Sequence, residues 1–214
     1  MSELESPGPW EGDRRGAVLS DCGRFRYVLW ERLAKTWFDG KPDQLDVEAE
    51  RARRGFTRWI CWVMLNPSTA DAQVDDPTIR KVRGFTERLG YDGFLVVNRF
   101  AWRTTDPREL CRVRPGPHGA ELGPALFAGR RIHAAAEGDR NDEWVARAAE
   151  ASRRIICAWG VHGGEYPHKF MGVLRGLAED QCRSLYALKI SEASRTPTHP
   201  LYLPYDLKPI AWKP

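Results

Sequence analysis

The sequence holds few cysteines and places none of them close together. Its 214 residues include five cysteines and no CxxC pair. Zinc knuckles and iron–sulfur sites are usually built from such closely spaced pairs, so neither is predicted. His162 and His168 lack a third ligand at metal-binding spacing, and Cys61 and Cys157 lie inside apolar runs that predict buried, reduced thiols. We expect no metal and no cofactor.

Long hydrophobic segments and the common nucleotide-binding motifs are missing as well. No apolar run approaches the roughly 20 residues that cross a bilayer, and the first residues lack the apolar core of a signal peptide. We expect a cytoplasmic protein without membrane contact. The sequence contains no GxxxxGK(S/T), GxGxxG, GxSxG or HExxH. Nucleoside triphosphate hydrolysis, dinucleotide binding and serine-hydrolase chemistry therefore lack their usual motifs.

An excess of one charge is also absent, whereas arginine and tryptophan are plentiful. Lys plus Arg number 33 against 29 Asp plus Glu, which gives a net charge of +4. The arginines cluster, as in residues 51–58 and 80–88, and this pattern fits a phosphate-binding surface and solvated faces equally well. Nine tryptophans are more than a chain of this size needs. Tryptophan fills a core, but it also stacks on flat ligands.

Four apolar runs of strand length predict the centre of the fold. They cover residues 59–65, 94–100, 154–159 and 185–190. Continuous hydrophobicity is typical of strands that are buried on both faces. The first two runs flank a predicted helix, and such a strand–helix–strand unit favours parallel pairing.

Helices are predicted between these strands. Asp76 has the position of an N-cap, Pro77 that of the first helical residue, and Gly90 is expected to end the helix. A second helix is predicted at about residues 141–152. A third is predicted after the loop at residues 162–168.

The sequence therefore predicts one α/β domain, with three αβα layers around a central sheet of four parallel strands. Alternating polarity in residues 25–30 predicts a half-buried N-terminal edge strand. Residues 1–15 are expected to form a flexible N-terminus and residues 16–214 a single domain. Within that domain, residues 104–140 are expected to be a long loop insertion. The proline-rich tail from residue 194 is expected to lie extended on the surface.

Unusual polar residues concentrate where the predicted strands end, which is the edge at which open α/β sheets bind ligands. Asn66 and Asn98 each offer a donor and an acceptor to a base edge or a water, but each amide can equally bond the protein backbone. His199 lies in a loop stiffened by prolines; it either donates to developing negative charge or is structural. Asp71 and Asp75 are candidates for a general base, with solvated loop residues as the alternative.

Seven short segments carry a further signal: Arg24–Leu29, Leu65–Asp71, Asp75–Ile79, Val96–Ala101, Thr105–Pro107, Trp159–Gly160 and His199–Leu203. Together they resemble the bacterial domain-of-unknown-function 1643 family. The resemblance spans about residues 17–212, and the segment from about residue 114 to residue 138 is longer than the family pattern. The family name implies no activity.

Four features occur in a characteristic order: a strand ending in Asn66-Pro67, a strand ending in Asn98, a strand ending in Trp159-Gly160, and a His199-Pro loop. This order is similar, more distantly, to that of the uracil-DNA glycosylase superfamily. The resemblance implies a uracil-DNA glycosylase-like four-stranded parallel sheet. It also implies that Asn66 holds the attacking water, Asn98 reads the base and His199 donates to the carbonyl oxygen of the base.

The chain departs from the superfamily pattern in three ways. The first motif has asparagine where the most active members have aspartate. The last loop reads His-Pro-Leu-Tyr and lacks the small serine that contacts a backbone phosphate, and no intercalating apolar loop is identifiable. The resemblance therefore implies the fold more firmly than the catalysis.

The function implied by the resemblance is a nucleobase-directed N-glycosidase, a hydrolase that acts on DNA, as in DNA repair, or on a nucleotide. Two alternatives stay open: a non-catalytic module that binds a nucleobase or nucleic acid, and a nucleotide-modifying enzyme assisted by a metal at Asp71, Asp75 and Asp76. In each case the expected partner is a nucleic acid or a nucleotide. The predicted catalytic residues are Asn66, Asp71 and His199, and the predicted substrate-binding residues are Pro67, Ser68, Asp75, Asn98, Arg99, Trp102, Trp159 and Gly160.

Overall fold

The computed structural model of the protein describes residues 8–33, 58–68, 75–106, 136–161 and 184–213, together with Leu110 and Gly176. Several predicted features fall wholly or largely outside the described residues. They are Asp71, the insertion at residues 104–140, the loop with His162 and His168, and the third helix.

Part of the segment expected to be flexible at the N-terminus is packed. Residues Pro9–Glu11 form a short 3-10 helix, and Trp10 of this helix is buried in the protein. The ring of Trp10 contacts that of Trp144 edge-on, with 6.3 Å between the ring centroids. An aromatic pair of this geometry stabilises the packing beyond the area that it buries.

Seven strands of the described chain form a single mixed sheet. They are β1 (Arg15–Leu19), β2 (Arg26–Arg32), β3 (Trp59–Met64), β4 (Gly93–Asn98), β5 (Ser152–Cys157), β6 (Leu185–Ala187) and β7 (Ile210–Trp212). Their order across the sheet is β1-β2-β4-β3-β5-β6-β7. The four strands predicted from apolar runs lie next to one another in the centre, and each adjacent pair among them is parallel. β1 and β2 extend this block antiparallel on one side, and β7 does so on the other.

The predicted sheet of four parallel strands with one edge strand was therefore too small. The prediction that residues 25–30 form a half-buried edge is wrong, because β2 lies between β1 and β4 and its residues 26–31 are all buried. Arg26 is the charged residue within that segment, and Glu31 directly follows the segment. Both side chains have a partner inside the protein: Arg26 donates to the side chain of Asn98, and Glu31 accepts from Arg83 at 2.6 Å.

Helices cover both faces of the sheet. Helix α1 (Pro77–Arg88) packs on the face to which Ile60, Trp62 and Met64 contribute, and helix α2 (Ala136–Ala151) packs on the opposite face. The alternation of side chains along β3 sends every second residue to each helix, which is why this strand is apolar throughout. The described elements therefore form three layers, helix, sheet and helix, as predicted.

The local signals for α1 are confirmed. A carboxylate oxygen of Asp76 accepts a hydrogen bond from the Ile79 N–H at 2.7 Å, and Pro77 occupies the first helical turn. Gly90 follows the helix with a φ of 75°, the left-handed conformation that glycine adopts without strain. α2 begins at Ala136, five residues before the predicted start at residue 141.

The two cysteines predicted as buried thiols are buried, and neither is part of a disulfide. Burial, together with the neighbouring Cys61, raises the pKa of the Cys157 thiol. The thiol form is therefore the stable one at neutral pH, as expected for a packing residue.

The segment after the 3-10 helix Pro200–Tyr202 is fastened to α1. The ring of Tyr205 lies 4.9 Å from that of Phe85, between centroids. The Lys81 Nζ lies 3.7 Å and the Arg88 Cζ 4.1 Å from the Tyr205 ring centroid, so two cations of α1 contact this one ring. Among the described residues, no helix is long and apolar enough to span a bilayer.

Candidate active site

The carboxyl ends of the central strands meet at one edge of the sheet. Met64 at the end of β3 is in register with Asn98 at the end of β4, and Val63 is in register with Cys157 of β5. The hydrogen bonds continue beyond the strands, since the Phe100 N–H donates to the Leu65 carbonyl at 2.9 Å. The turns that leave these strands are therefore held side by side, as the parallel topology requires.

His199 and Gly160 are in contact at this edge. The Gly160 N–H donates to the Pro197 carbonyl at 2.9 Å, which joins the exit of β5 to the loop that carries the histidine. Gly160 has a φ of 79°, and a side-chain carbon at this position would lie 3.1 Å from the His199 Cβ. The glycine thus permits both the left-handed turn and the close approach of the loop.

The imidazole of His199 is held as a neutral ring. Its Nδ1 accepts a hydrogen bond from the Leu201 N–H at 3.3 Å, so the ring proton belongs on Nε2. Burial lowers the pKa of His199 to about 4, against the opposing effect of the Asp76 carboxylate. At neutral pH the ring therefore carries one N–H donor, at Nε2. No described residue accepts a hydrogen bond from that donor.

Asn98 is the most buried of the described polar residues predicted for the site, with 1% of its surface exposed. Its Oδ1 accepts from the Arg26 guanidinium at 3.3 Å. Its Nδ2 is fully buried and has no hydrogen-bond partner among the described residues. A buried amide N–H without a partner destabilises the fold unless a ligand or a water accepts from it.

Asn66 lies in the turn that follows β3 and connects that turn to the chain beyond β4. Its Nδ2 donates to the Thr104 carbonyl at 2.7 Å and to the Pro67 carbonyl at 3.2 Å. The Thr104 N–H donates back to the Pro67 carbonyl at 2.9 Å. The nitrogen of this amide is therefore engaged with the backbone, while its oxygen accepts no hydrogen bond from the described residues.

Asp75 lies in an ion-pair cluster and does not lie open at the site. It pairs with Arg15 and, at 2.7 Å, with Arg83, and Arg83 also pairs with Glu31 at 2.6 Å. Burial alone would raise the pKa of Asp75, but the hydrogen bonds and charges of Arg83 and Arg15 outweigh it and hold the pKa below its usual value. A carboxylate stabilised in this way is a weak proton acceptor, so the geometry does not favour Asp75 as a general base.

Asp76 and Ser68 are joined by a hydrogen bond between their side chains. One carboxylate oxygen of Asp76 caps α1, and the other accepts from the Ser68 hydroxyl. The charge of the Asp76 carboxylate opposes the effect of burial on the pKa of His199, so this carboxylate acts electrostatically on the imidazole. Ser68 thus belongs to the same edge, but its hydroxyl is already bonded to the helix cap.

The predicted aromatic and cationic contacts are mostly packing contacts. The ring of Trp159 is 3% exposed and packs edge-on against Trp212, with 5.2 Å between the centroids. The Arg99 guanidinium carbon lies 5.6 Å from the Trp159 centroid. Burial lowers the pKa of Arg99 to about 10, which leaves it cationic at neutral pH. Trp102 packs edge-on against Phe25 at 5.4 Å and forms an isolated β-bridge with it.

Three residues near this edge received no role in the sequence analysis. Arg26 is 2% exposed and contacts Asn98, and Asn141 of α2 is 5% exposed and donates to the Asn98 carbonyl. Tyr202 is 89% exposed, three residues after His199. No local sequence signal indicates the contact of the first two with Asn98, because that contact depends on the fold.

One protein-family model matches residues 26–201 of the chain, and its description is "Protein of unknown function (DUF1643)". The matched span covers more than half of the 214 residues. The chain belongs to this family. No curated protein and no solved structure matches the chain.

In this member of the DUF1643 family, the matched span includes every predicted site residue, from Asn66 to His199. The predicted family membership is therefore confirmed, whereas the resemblance to the uracil-DNA glycosylase superfamily stays a prediction. Among the described residues, no group of three or more histidine, cysteine, aspartate or glutamate side chains could hold a metal ion.

Proposed function

We propose that this DUF1643 protein is a nucleobase-directed N-glycosidase, and that the reaction takes place at the carboxyl edge of the sheet. The observation that carries the proposal is the state of His199. The neutral imidazole has its Nδ1 engaged with the backbone, its Nε2–H is not bonded to any described residue, and Gly160 supports it from the neighbouring strand. The order of the Asn-Pro, Asn, Trp-Gly and His-Pro motifs, which is similar to that of the uracil-DNA glycosylase superfamily, supports the same function.

Cleavage of an N-glycosidic bond needs a hydrogen-bond donor for the departing base. As the bond between the sugar carbon and the base nitrogen breaks, its electron pair passes to the base, and negative charge develops on a carbonyl oxygen of the base. A preorganised neutral donor such as the Nε2–H of His199 stabilises that charge without a change in its own protonation. The oxygen of a water then bonds to the sugar carbon, and a proton of that water neutralises the base.

Asn66 and Asn98 have complementary tasks in this proposal. The oxygen of Asn66, which accepts no hydrogen bond from the described residues, accepts one from the attacking water, while the nitrogen is bonded to the Thr104 carbonyl. The buried N–H of Asn98 donates to the base. The meeting of these groups with His199 in one pocket is part of the proposal.

A second candidate function, a binding module without hydrolysis, is favoured by a specific observation. The carboxylates of Asp75 and Asp76 are both engaged, in ion pairs and in a helix cap, so among the described residues neither is positioned to activate a water. An asparagine positions a water but does not remove its proton. A protein with these groups would bind a nucleobase or nucleotide and release it unchanged.

Base release distinguishes the two functions. Release is measured from uracil, hypoxanthine and hydroxymethyluracil, each in single-stranded DNA, in duplex DNA and as a nucleotide. The wild type is compared with His199→Ala and Asn66→Ala, and Glu192→Gln, an exposed residue of the preceding loop, serves as the control. Loss of one preorganised donor lowers the rate of such reactions by roughly 10²–10³-fold, so we expect this effect for His199→Ala.

Two outcomes decide between the proposals. Saturable binding without base release from any substrate would reject the glycosidase and favour the binding module. Neither binding nor release in the wild type would contradict both. Thermal unfolding of each variant shows whether a loss of activity reflects a loss of fold.

A further inference from the structure

Two buried asparagines, Asn98 at the end of β4 and Asn141 of α2, each leave one side-chain atom without a hydrogen-bond partner among the described residues. The Nδ2 of Asn98 and the Oδ1 of Asn141 are both inaccessible to solvent, and neither has a hydrogen bond to any described residue. The two residues are 1% and 5% exposed. Buried side-chain amides in proteins normally satisfy both of their polar atoms, so the pair requires an explanation.

The orientation of each amide follows from the chemistry of its neighbours. Arginine can only donate, so the atom of Asn98 that faces Arg26 at 3.3 Å must be the oxygen. Asn141 faces the carbonyl oxygens of Asn98 at 3.1 Å and of Arg99 at 3.4 Å, so its atom there must be the nitrogen. A rotation of either amide by 180° would place like groups against each other. The atoms left over are therefore a donor on Asn98 and an acceptor on Asn141.

The two residues are in direct contact. The side-chain nitrogen of Asn141 donates a hydrogen bond to the main-chain carbonyl of Asn98, which is the last residue of β4. This residue lies at the carboxyl edge of the sheet, in register with the end of β3. A donor and an acceptor without a partner among the described residues thus belong to two touching residues at the edge where α/β sheets bind ligands.

We propose that Asn98 and Asn141 together recognise the hydrogen-bonding edge of a nucleobase, with the Asn98 Nδ2–H donating to a base acceptor and the Asn141 Oδ1 accepting from the adjacent base N–H. This inference rests on the proposed function for the identity of the ligand. It adds Asn141 as a specificity-determining residue, and it gives Arg26 the role of a positioning residue that commits the Asn98 oxygen. The matching ligands carry an acceptor and a donor side by side, as the Watson–Crick edges of nucleobases do.

The test is the binding of free bases to the full chain, measured by equilibrium dialysis with uracil and with 3-methyluracil. The methyl group removes the base N–H and leaves the carbonyl oxygens. We expect the wild type to bind uracil about ten- to hundredfold more tightly than 3-methyluracil. Asn141→Leu, which has a similar shape but no acceptor, should remove this preference, and Arg140→Gln on the neighbouring exposed position should keep it.

A second variant guards against loss of the fold. Asn98→Asp keeps an oxygen toward Arg26 and replaces the donor with another oxygen, so the protein should remain folded while its affinity for uracil falls by a similar factor. Its thermal unfolding and its binding are measured on the same sample. The proposal is overturned if Asn141→Leu and Asn98→Asp bind both bases as the wild type does, since a buried water would then satisfy the two amides.

Base release by the same variants separates this inference from the glycosidase. Discrimination against 3-methyluracil that disappears in Asn141→Leu supports the recognition pair even if no substrate loses its base. Base release that is unchanged in both Asn141→Leu and Asn98→Asp supports the glycosidase, but it rejects the recognition pair and the contact of Asn98 with the base in the proposed function.

Discussion

Substitution of Gly160 by alanine tests how tightly the histidine loop is held against the end of β5. Two separate costs are expected. A non-glycine residue in the left-handed conformation is destabilised by roughly 1–2 kcal/mol. In addition, the new Cβ would lie 3.1 Å from the His199 Cβ, closer than ordinary packing allows, and overpacking of this kind typically costs about 1–3 kcal/mol.

Gly90 supplies a matched control, because it has nearly the same backbone conformation and no crowding. Its φ is 75° against 79° for Gly160, and, apart from its chain neighbours, no atom of the described residues lies within 4 Å of the position of its missing Cβ. Gly90→Ala therefore carries the backbone cost alone. The difference between the two variants isolates the contact with His199, and we expect Gly160→Ala to be less stable than Gly90→Ala by about 1–3 kcal/mol.

Urea unfolding followed by tryptophan fluorescence measures this difference, provided that the m-values of the two variants agree. Free energies of unfolding that agree within about 0.5 kcal/mol would refute the reasoning. The loop that carries His199 would then move to accommodate the new Cβ without loss of stability, and it would not position the imidazole. Base binding adds a functional readout. It should weaken in Gly160→Ala and stay unchanged in Gly90→Ala.

Further predictions concern the titration of the histidine, a buried hydrogen bond and an exposed ring. The pKa of His199 is about 4 in the folded protein and about 6.5 in the unfolded chain. The unfolded state therefore binds more protons between these two pH values, so the free energy of unfolding should decrease as the pH falls from 6.5 towards 4. An NMR titration of the ring with a midpoint near 6.5 would contradict this prediction. The buried indole N–H of Trp62 donates to the Thr86 hydroxyl at 3.2 Å. Thr86→Val leaves this N–H without its acceptor and should lower the free energy of unfolding by about 1–3 kcal/mol. An unchanged urea midpoint would show that the hydrogen bond does not contribute to stability. Tyr202→Ala removes a ring that is 89% exposed. If the substrate is single-stranded DNA, the binding free energy of the protein for this DNA should weaken by about 1–3 kcal/mol, the value for a base that stacks on an aromatic ring. The affinity for a free base should not change.

The parts of the fold that sequence predicted well are those with local causes. Asp76, Pro77 and Gly90 define α1 through hydrogen bonds and backbone angles within a few residues, so the helix could be predicted from those residues alone. The four central strands were predictable because burial on both faces demands continuous hydrophobicity. β1 and β7 were missed because both are short edge strands, and their pairing depends on partners far along the chain, such as Leu185 opposite Trp212.

The candidate site follows the same division. Parallel topology allowed the strand exits to be placed at one edge, and the contact between Gly160 and His199 agrees with that placement. The bonding of Asn66 to Thr104, 38 residues away, could not be predicted, because a turn residue gives no sign of which distant carbonyl it will meet. Asn141 was expected only to begin a helix, since its contact with Asn98 arises from the packing of that helix on the sheet.

The ring of Tyr205, between Lys81 and Arg88, restrains the histidine loop from its downstream end, while the bond from Gly160 to Pro197 restrains it from the upstream end. A loop that is restrained at both ends is preorganised for binding, so little conformational entropy of the chain is lost when a ligand binds. Removal of the Tyr205 ring should therefore lower both the rate of complex formation and the affinity for the ligand, although the ring is not proposed to contact the ligand.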